Sequence, residues 1–224
     1  MAQLSGYIKR TRRWLIPLSL LVALLLWEGL IFVWNFPPFI LPSPRLVAIR
    51  FLQVLENGSL LRNTAFTLLE VLSGLLAGSL LATVLGYALA KSPLLEETLS
   101  PYLVASQAIP VVAIAPLLVI WFGPGIFSKV LICALIVFFP VLINTVVGLR
   151  AVPQHLRDMM LSMRATSLQI LRYLEIPAAL PVFLGGLRIG ATLSVIGAVV
   201  GELVGADRGL GFLINVGRGQ FDTA

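Results

Sequence analysis

Residues 157–181, RDMMLSMRATSLQILRYLEIPAALP, form a polar, amphipathic segment between two long apolar segments. From Leu156 onward the apolar residues recur at a helical spacing in which Ser167 is the only gap. They are Leu156, Met159, Met160, Met163, Ile170, Leu171 and Leu174. Five charges disfavour a position across a bilayer, namely Arg157, Asp158, Arg164, Arg172 and Glu175. A short helix of this kind fits either the groove of a partner protein or the headgroup surface of a membrane, and the pattern leaves both open.

The composition around this segment is that of an integral membrane protein. The chain is 58% hydrophobic and 12% charged, which is about half the charged share of a soluble domain. Its mean hydropathy of +0.99 agrees, because so few charges cannot cover a water-soluble surface. The single Cys133 excludes a disulfide framework and a cysteine-built metal cluster, and the single His155 excludes a multi-histidine site. We therefore predict no metal and no cofactor.

Five segments are apolar and long enough to cross a hydrocarbon core of about 30 Å, which takes roughly 20 helical residues. The predicted spans are residues 14–34, 64–90, 103–122, 129–149 and 182–206. Residues 44–55 predict a further short helix with Ser43 as its cap. The predicted fold is a single all-α domain over residues 1–224, a polytopic membrane bundle with residues 154–177 as a loop. Pro153 before the loop helix, and Pro177 and Pro181 after it, predict corners.

Basic residues predict the orientation of these spans. Nine lysines and arginines fall on the side of the amino terminus and six on the other side. The cluster Lys9, Arg10, Arg12 and Arg13 decides the direction, because charges beside the first span usually dominate. We expect the amino terminus and the 154–177 loop to be cytoplasmic. The net charge of +6 fits this pattern and does not require a nucleic-acid partner.

Rows of small residues predict close helix packing within the membrane. The second span carries Gly74, Gly78, Ala82 and Gly86, and the fifth carries Gly186, Gly190, Ser194 and Ala198. Four further residues are candidates for the lining of a translocation pathway, because they are polar groups or helix breaks inside spans: Gln107, Pro110, Asn144 and Glu202. Hydrogen bonds between helices explain the polar residues equally well. Glu70 and Glu202 lie near span ends, so we expect both carboxyls to stay near water.

The loop resembles the signature of a known family. Asp158, Met159 and Met160 fall on the Glu-Ala-Ala positions of the loop motif of permeases from binding-protein-dependent ABC importers, and Arg164 falls on its glycine. Leu174, Ile176 and Pro177 fall on its Ile and Leu-Pro positions. The similarity runs from residue 37 to residue 224 and is closest in QAIPVVAIAPLLVIWFG and ALIVFFPVLINTVVGL. These stretches resemble the branch of nitrate, sulfonate, taurine, thiamine-pyrimidine and riboflavin permeases.

The chain departs from the family pattern in two places. A side chain at the glycine position is unfavourable in a left-handed backbone, so Arg164 predicts an altered turn or weaker docking. Members of the family normally carry a sixth span after a sequence similar to QFDTA, so the resemblance also implies that a last span is missing.

The resemblance implies a bacterial inner-membrane permease whose loop is a coupling helix for a cytoplasmic ATPase. The residues implied in that contact are Asp158, Met159, Met160, Met163, Arg164, Ala165, Leu174 and Pro177. The implied partners are two ATP-binding subunits, an extracytoplasmic substrate-binding protein and a second copy of the permease. The implied cargo is a small organic solute, which is a vitamin-like heterocycle, a sulfonate or an oxyanion.

The chain is not expected to be an enzyme itself. It has no G-x-x-x-x-G-K-[ST] phosphate loop, so ATP hydrolysis is expected in a separate subunit. Two other functions stay open, which are a secondary transporter or channel without an ATPase and a membrane scaffold that transports nothing.

Overall fold

The computed structural model describes the backbone of residues 2–224 and the side chains of residues 15 and 17–224. Within that part of the chain every regular element is a helix, and no strand is present. The side chains of Lys9, Arg10, Arg12 and Arg13, on which the predicted orientation depends, lie outside the described residues. The chain divides into two compact units, residues 62–214 and residues 1–61 with 215–224.

The smaller unit contains two helices, α1 (Ala2–Trp34) and α2 (Pro44–Glu56). Ser43 caps α2 by accepting a hydrogen bond from the Leu46 backbone amide at 3.3 Å, which confirms the predicted cap. The indole of Trp27 donates to the Pro42 carbonyl at 3.1 Å and fastens α1 to the proline-rich connection. Arg50 pairs with Asp222, which ties α2 to the carboxyl-terminal segment.

The larger unit is built from α3 (Ser59–Lys91), α4 (Pro93–Gln107), α5 (Val111–Phe122), α6 (Ile126–Arg150), α7 (Gln154–Ser162), α8 (Ser167–Ile170) and α9 (Ile176–Val204), with α10 (Leu210–Gly219) beginning in it. A π-helical turn over Leu171–Glu175 joins α8 to α9. Four of the described helical segments are long and apolar enough to cross a membrane, or five if α4 and α5 count as one bent span.

In the larger unit, helix α6 packs closely against both α3 and α9. The predicted small-residue rows are all buried: Gly74, Gly78, Ala82, Gly86, Gly186, Gly190, Ser194 and Ala198. A Cβ atom at Gly78 would lie 2.5 Å from the Ala134 carbonyl oxygen, and one at Gly190 would lie 3.2 Å from Val137. At both rows, α6 therefore approaches so closely that residues larger than glycine, alanine or serine would clash with its backbone or side chains.

The third predicted span, residues 103–122, is not one straight helix. Helices α4 and α5 meet at an 89° bend over residues 108–110, and α4 begins ten residues before the predicted start. Pro110 has no amide to donate and disfavours helical backbone at Ile109, so the helix ends there. Pro116 is accommodated within α5.

The expectation of corners at Pro177 and Pro181 is wrong, because the helix runs from Ser167 to Val204 through both prolines. The π turn explains how Pro177 is accommodated. The Ile176 amide bonds to the Leu171 carbonyl five residues back, so the turn before Pro177 is wider than an α-turn. A wider turn gives room to a ring that would clash with the carbonyl four residues before it.

Candidate functional site

The 154–177 loop consists of two helices rather than the single unbroken helix that its apolar spacing predicts. Helix α7 ends in a Schellman motif, in which the Ala165 amide bonds to the Met160 carbonyl at 3.0 Å and the Arg164 amide to the Leu161 carbonyl at 2.9 Å. Arg164 takes the left-handed position of this motif with φ of 59°. The turn that the family builds with glycine is thus kept with an arginine.

The second helix of the loop begins two residues later with a capping box. Thr166 accepts from the Gln169 amide at 3.3 Å, and the Gln169 side chain accepts from the Thr166 amide at 2.7 Å. A helix stop and a helix start therefore follow each other directly. Together they give the loop one defined bend between α7 and α8.

Replacing Arg164 with glycine should stabilise this bend. A side chain in left-handed backbone costs about 1 kcal/mol, so amide exchange at residues 164 and 165 should slow about fivefold. Arg164→Ala is the control, because it removes the same charge and keeps the Cβ atom. Equal exchange rates in the two variants would show that φ at this position carries no strain. Hydrogen exchange with mass spectrometry on the purified protein measures the difference.

The loop exposes large apolar side chains next to charged ones. The exposed fractions are 56% for Met159, 75% for Met163, 57% for Leu161, 71% for Leu168 and 67% for Tyr173. We call these five residues the apolar loop surface. Such an exposed set, beside exposed Asp158, Arg164 and Arg172, is typical of an interaction site.

The other predicted coupling residues have mixed exposure. Pro177 is exposed at the start of α9, whereas Met160, Ala165 and Leu174 are half-buried. The sequence does not predict that Leu161, Leu168 and Tyr173 belong to the apolar loop surface, because an unbroken helix would place them outside its apolar row.

Beneath the loop, Glu175 is fully buried and pairs with two cations. Its Oε1 atom lies 2.5 Å from Lys91 Nζ and 3.3 Å from Arg157 Nε. Arg157 also donates through Nη2 to the Leu149 carbonyl at 2.8 Å. We call Lys91, Arg157 and Glu175 the ion-pair node. It joins the ends of α3 and α6 to α7 and to the π turn.

A second ion pair lies on the surface at the same end of the helices. Arg150, the last residue of α6, donates through Nη1 to Glu96 Oε1 at 2.6 Å and makes a second contact with Oε2. Both side chains are partly exposed, so we expect this pair to stabilise the fold by less than about 1 kcal/mol.

At the opposite end of the same helices, Glu70 and Glu202 are buried, so the expectation that they stay near water is wrong. Glu202 accepts from the Thr67 hydroxyl at 2.6 Å and from the Gly211 amide at 2.5 Å. Glu70 lies beside Glu202. Buried Lys129 donates to the carbonyls of Pro124 and Gly205. These charges cluster at one end of the helices and do not form a path along them.

The four candidate pathway residues occupy separate environments. Gln107 and Pro110 are exposed at the bend between α4 and α5. Asn144 donates to the Pro140 carbonyl of its own helix at 2.8 Å and packs against the position of Gly186. Glu202 belongs to the buried cluster that contacts α10. The contacts of Asn144 favour a packing role, and the lining of a pathway stays a prediction for all four.

An apolar cavity of about 450 Å³ lies between α3, α6 and α9, at the end of these helices that carries the loop. Tyr87, Leu149, Ile176 and Phe183 are among its lining residues. Although Thr83 and Thr145 also belong to the lining, the surface that faces the cavity is almost entirely apolar, which favours an apolar over a polar occupant.

Four or five apolar spans, two of them joined by a bent, doubly capped loop, define a multi-pass helical membrane protein. The chain belongs to the family described as binding-protein-dependent transport system inner membrane component, whose model matches residues 74–224. That match confirms the resemblance found in the loop motif and in the spans before it.

Curated relatives carry the same permease description. The chain is 50% identical over 208 residues to the riboflavin transport system permease protein of Chloroflexus aurantiacus, covering 93% of this chain and 78% of the relative. It is 39% identical over 185 residues to the formylaminopyrimidine transport permease protein of Halalkalibacterium halodurans, covering 83% and 74%. It is 32% identical over 226 residues to the taurine transport system permease protein of Escherichia coli, covering 95% and 82%.

Proposed function

We propose that this chain is the permease subunit of an ATP-driven importer and that its loop receives the motion of a cytoplasmic ATPase. The observation that carries the proposal is the doubly capped loop, which exposes five large apolar side chains between two spans. A rigid apolar projection of this kind is suited to a groove in a protein partner. The headgroup surface is the competing site for the same side chains, and substitutions on the apolar loop surface separate the two.

The node beneath the loop supports the same function. A loop that only rested on lipid would need no buried connection to the spans. Here the buried carboxylate of Glu175 contacts Lys91 of α3 and Arg157 of α7, whose side chains are partly exposed. A force applied to α7 would therefore reach the spans through ion pairs as well as through the backbone.

The family supports the proposed partners, and the basic residues near the amino terminus support the proposed orientation. The basic cluster before the apolar part of α1 favours a cytoplasmic loop, on the side of the ATP-binding subunits. Two ATP-binding subunits would act on a homodimer of this chain, and an extracytoplasmic protein would deliver the solute. Hydrolysis of ATP would take place in the partner subunits.

For the cargo we propose a small vitamin-like heterocycle. The support is the 50% identity to a permease named for riboflavin and the 39% identity to one named for formylaminopyrimidine. A sulfonate is the second candidate, since the 32% identical relative is named for taurine.

The proposal predicts that charge on the apolar loop surface abolishes binding of the ATPase. Met159→Glu with Met163→Glu should weaken the affinity for the ATPase by at least about a hundredfold. Each methionine that becomes buried in the complex contributes about 1.5 kcal/mol or more to binding. Because both side chains are exposed, the amount of folded permease should not change. Co-purification of each variant with the cytoplasmic ATP-binding subunit of the same importer measures the effect.

Met159→Leu with Met163→Leu is the matched control, because it keeps apolar surface at the same two positions. Full ATPase binding by the glutamate variant would contradict the proposal. Solute uptake that continues after ATP depletion would favour the secondary transporter instead. A loop that contacts only lipid should lose membrane contacts in the glutamate variant and keep any ATPase bound elsewhere.

A further inference from the structure

Glu175 is the one buried carboxylate at the loop end of the described helices, and its position is specified by local geometry. It is fully buried and is the last residue of the π turn. Its Oε2 atom has no hydrogen-bond partner among the described residues, so its charge is balanced through Oε1 by Lys91 and Arg157. The added residue of a π turn rotates the next residues about the helix axis by about 100°, so this turn decides which way the carboxylate points.

The two cations come from different elements and differ in exposure. Lys91 is the last residue of α3 and its side chain is 40% exposed, whereas that of Arg157 on α7 is 26% exposed. Arg157 also reaches the Leu149 carbonyl near the end of α6. One carboxylate thus holds α7 against the ends of two spans while it belongs to a third.

We infer that Glu175 is a positioning residue that makes α7 and α3 move as one body when the ATPase displaces the loop. This inference rests on the proposed function. Separating α7 from α3 would leave a buried carboxylate with half its compensating charge, which is strongly unfavourable in a low-dielectric site. The loop is therefore kept at a constant distance from α3, and its displacement is passed to the spans instead of being absorbed at the bend.

The test measures the distance between the loop and α3 in the complex of permease and ATPase. Spin labels are placed at His155→Cys on α7 and Leu80→Cys on α3, both exposed positions, in a Cys133→Ala background. Pulsed electron paramagnetic resonance then compares the distance between the two labels in the nucleotide-free and ATP-trapped states. With Glu175 present, the distance should change by less than about 2 Å, and in Glu175→Gln by about 5 Å or more.

The amide variant keeps the volume of the side chain and removes the charge that balances both cations. Its ATPase rate in the complex should stay within about twofold of the parent, because the apolar loop surface is unchanged. Glu97→Gln is the matched control, since Glu97 is an exposed carboxylate on α4 that forms no ion pair within the described part of the chain. Glu175→Asp, which restores the charge, should recover part of the distance constraint.

A distance in Glu175→Gln that changes as little as in the parent overturns the inference. If that variant is not recovered folded, Arg157→Gln takes its place, because it frees α7 and keeps the Lys91 pair, and the same 5 Å change is expected. Failure of the parent permease to bind the ATPase is a different result, which refutes the proposed function and the inference together.

Discussion

Gly186→Leu is expected to lower the melting temperature of the purified permease by roughly 6–12 °C, which corresponds to about 3 kcal/mol for a chain of this size. A Cβ atom at Gly186 would lie 2.8 Å from the Pro140 carbonyl oxygen and 2.6 Å from Asn144 Cβ. Neither atom can move without shifting α6, because one is a backbone oxygen and the other is a Cβ atom bonded directly to the backbone of Asn144. The leucine would also displace the hydrogen bond from Asn144 to Pro140. Helices α6 and α9 would have to separate.

The neighbouring glycine is the control for this substitution. A Cβ atom at Gly185 meets nothing within 4 Å, so Gly185→Leu adds the same side chain to the same helix without a clash. Its melting temperature should stay within about 2 °C of the parent, or rise slightly because leucine favours helix more than glycine does. Thermal unfolding followed by size-exclusion chromatography in detergent compares the two. Equal losses in both variants would contradict the tight crossing of α6 and α9.

Glu202→Ala is the second substitution with a large expected effect, about 3 kcal/mol or more. The carboxylate accepts from the Gly211 amide at the start of α10 and from the Thr67 hydroxyl, and alanine would leave both donors buried without this acceptor. It would also remove one of the acidic side chains that interact with the buried ammonium of Lys129. Thermal unfolding should register a loss comparable to that of Gly186→Leu.

Glu202→Gln separates the hydrogen bonds from the charge. The amide oxygen can still accept from the Gly211 backbone, so exchange of the amides at residues 209–211 should rise much less than in Glu202→Ala. Exchange that is equally fast in both variants would mean that charge, and not the acceptor, holds the start of α10. Exchange as slow as the parent in Glu202→Ala would show that Glu202 does not hold it at all.

Much of the helix packing could be predicted because its signal is local in sequence. Small residues at intervals of four identify the face of a span that a neighbour can approach, and the rows on α3 and α9 do face α6. The loop motif likewise pointed to the family that the match over residues 74–224 confirms. Both inferences use residues that lie close together along one segment.

The bend of the loop could not be predicted from periodicity. The apolar spacing continues through Met163 as if one helix ran on, and an arginine gives no sign that its φ is positive. The stop comes from hydrogen bonds of the Arg164 and Ala165 amides, and the restart from Thr166. Helix caps act over only a few residues. The apolar periodicity is judged over a longer stretch, so it does not show where one helix ends and the next begins.

The ion-pair node and the burial of Glu202 depend on long-range contacts. Lys91 and Glu175 are 84 residues apart, and in the sequence each is only a charge near a span end. Glu202 is also near a span end, but the hydroxyl of Thr67, 135 residues away on α3, donates to its carboxylate. The packing of several helices decides such contacts, and no single segment contains them.

The continuous helix from Ser167 to Val204 has a mechanical consequence. Its 38 residues make a rod of roughly 57 Å, which is longer than the hydrocarbon core is thick. Tilting such a rod by only about 10° at its loop end would carry the far end sideways by about 10 Å. A small push on one side of the bilayer would thus become a wide swing on the other, at the end where Glu202 and α10 are anchored.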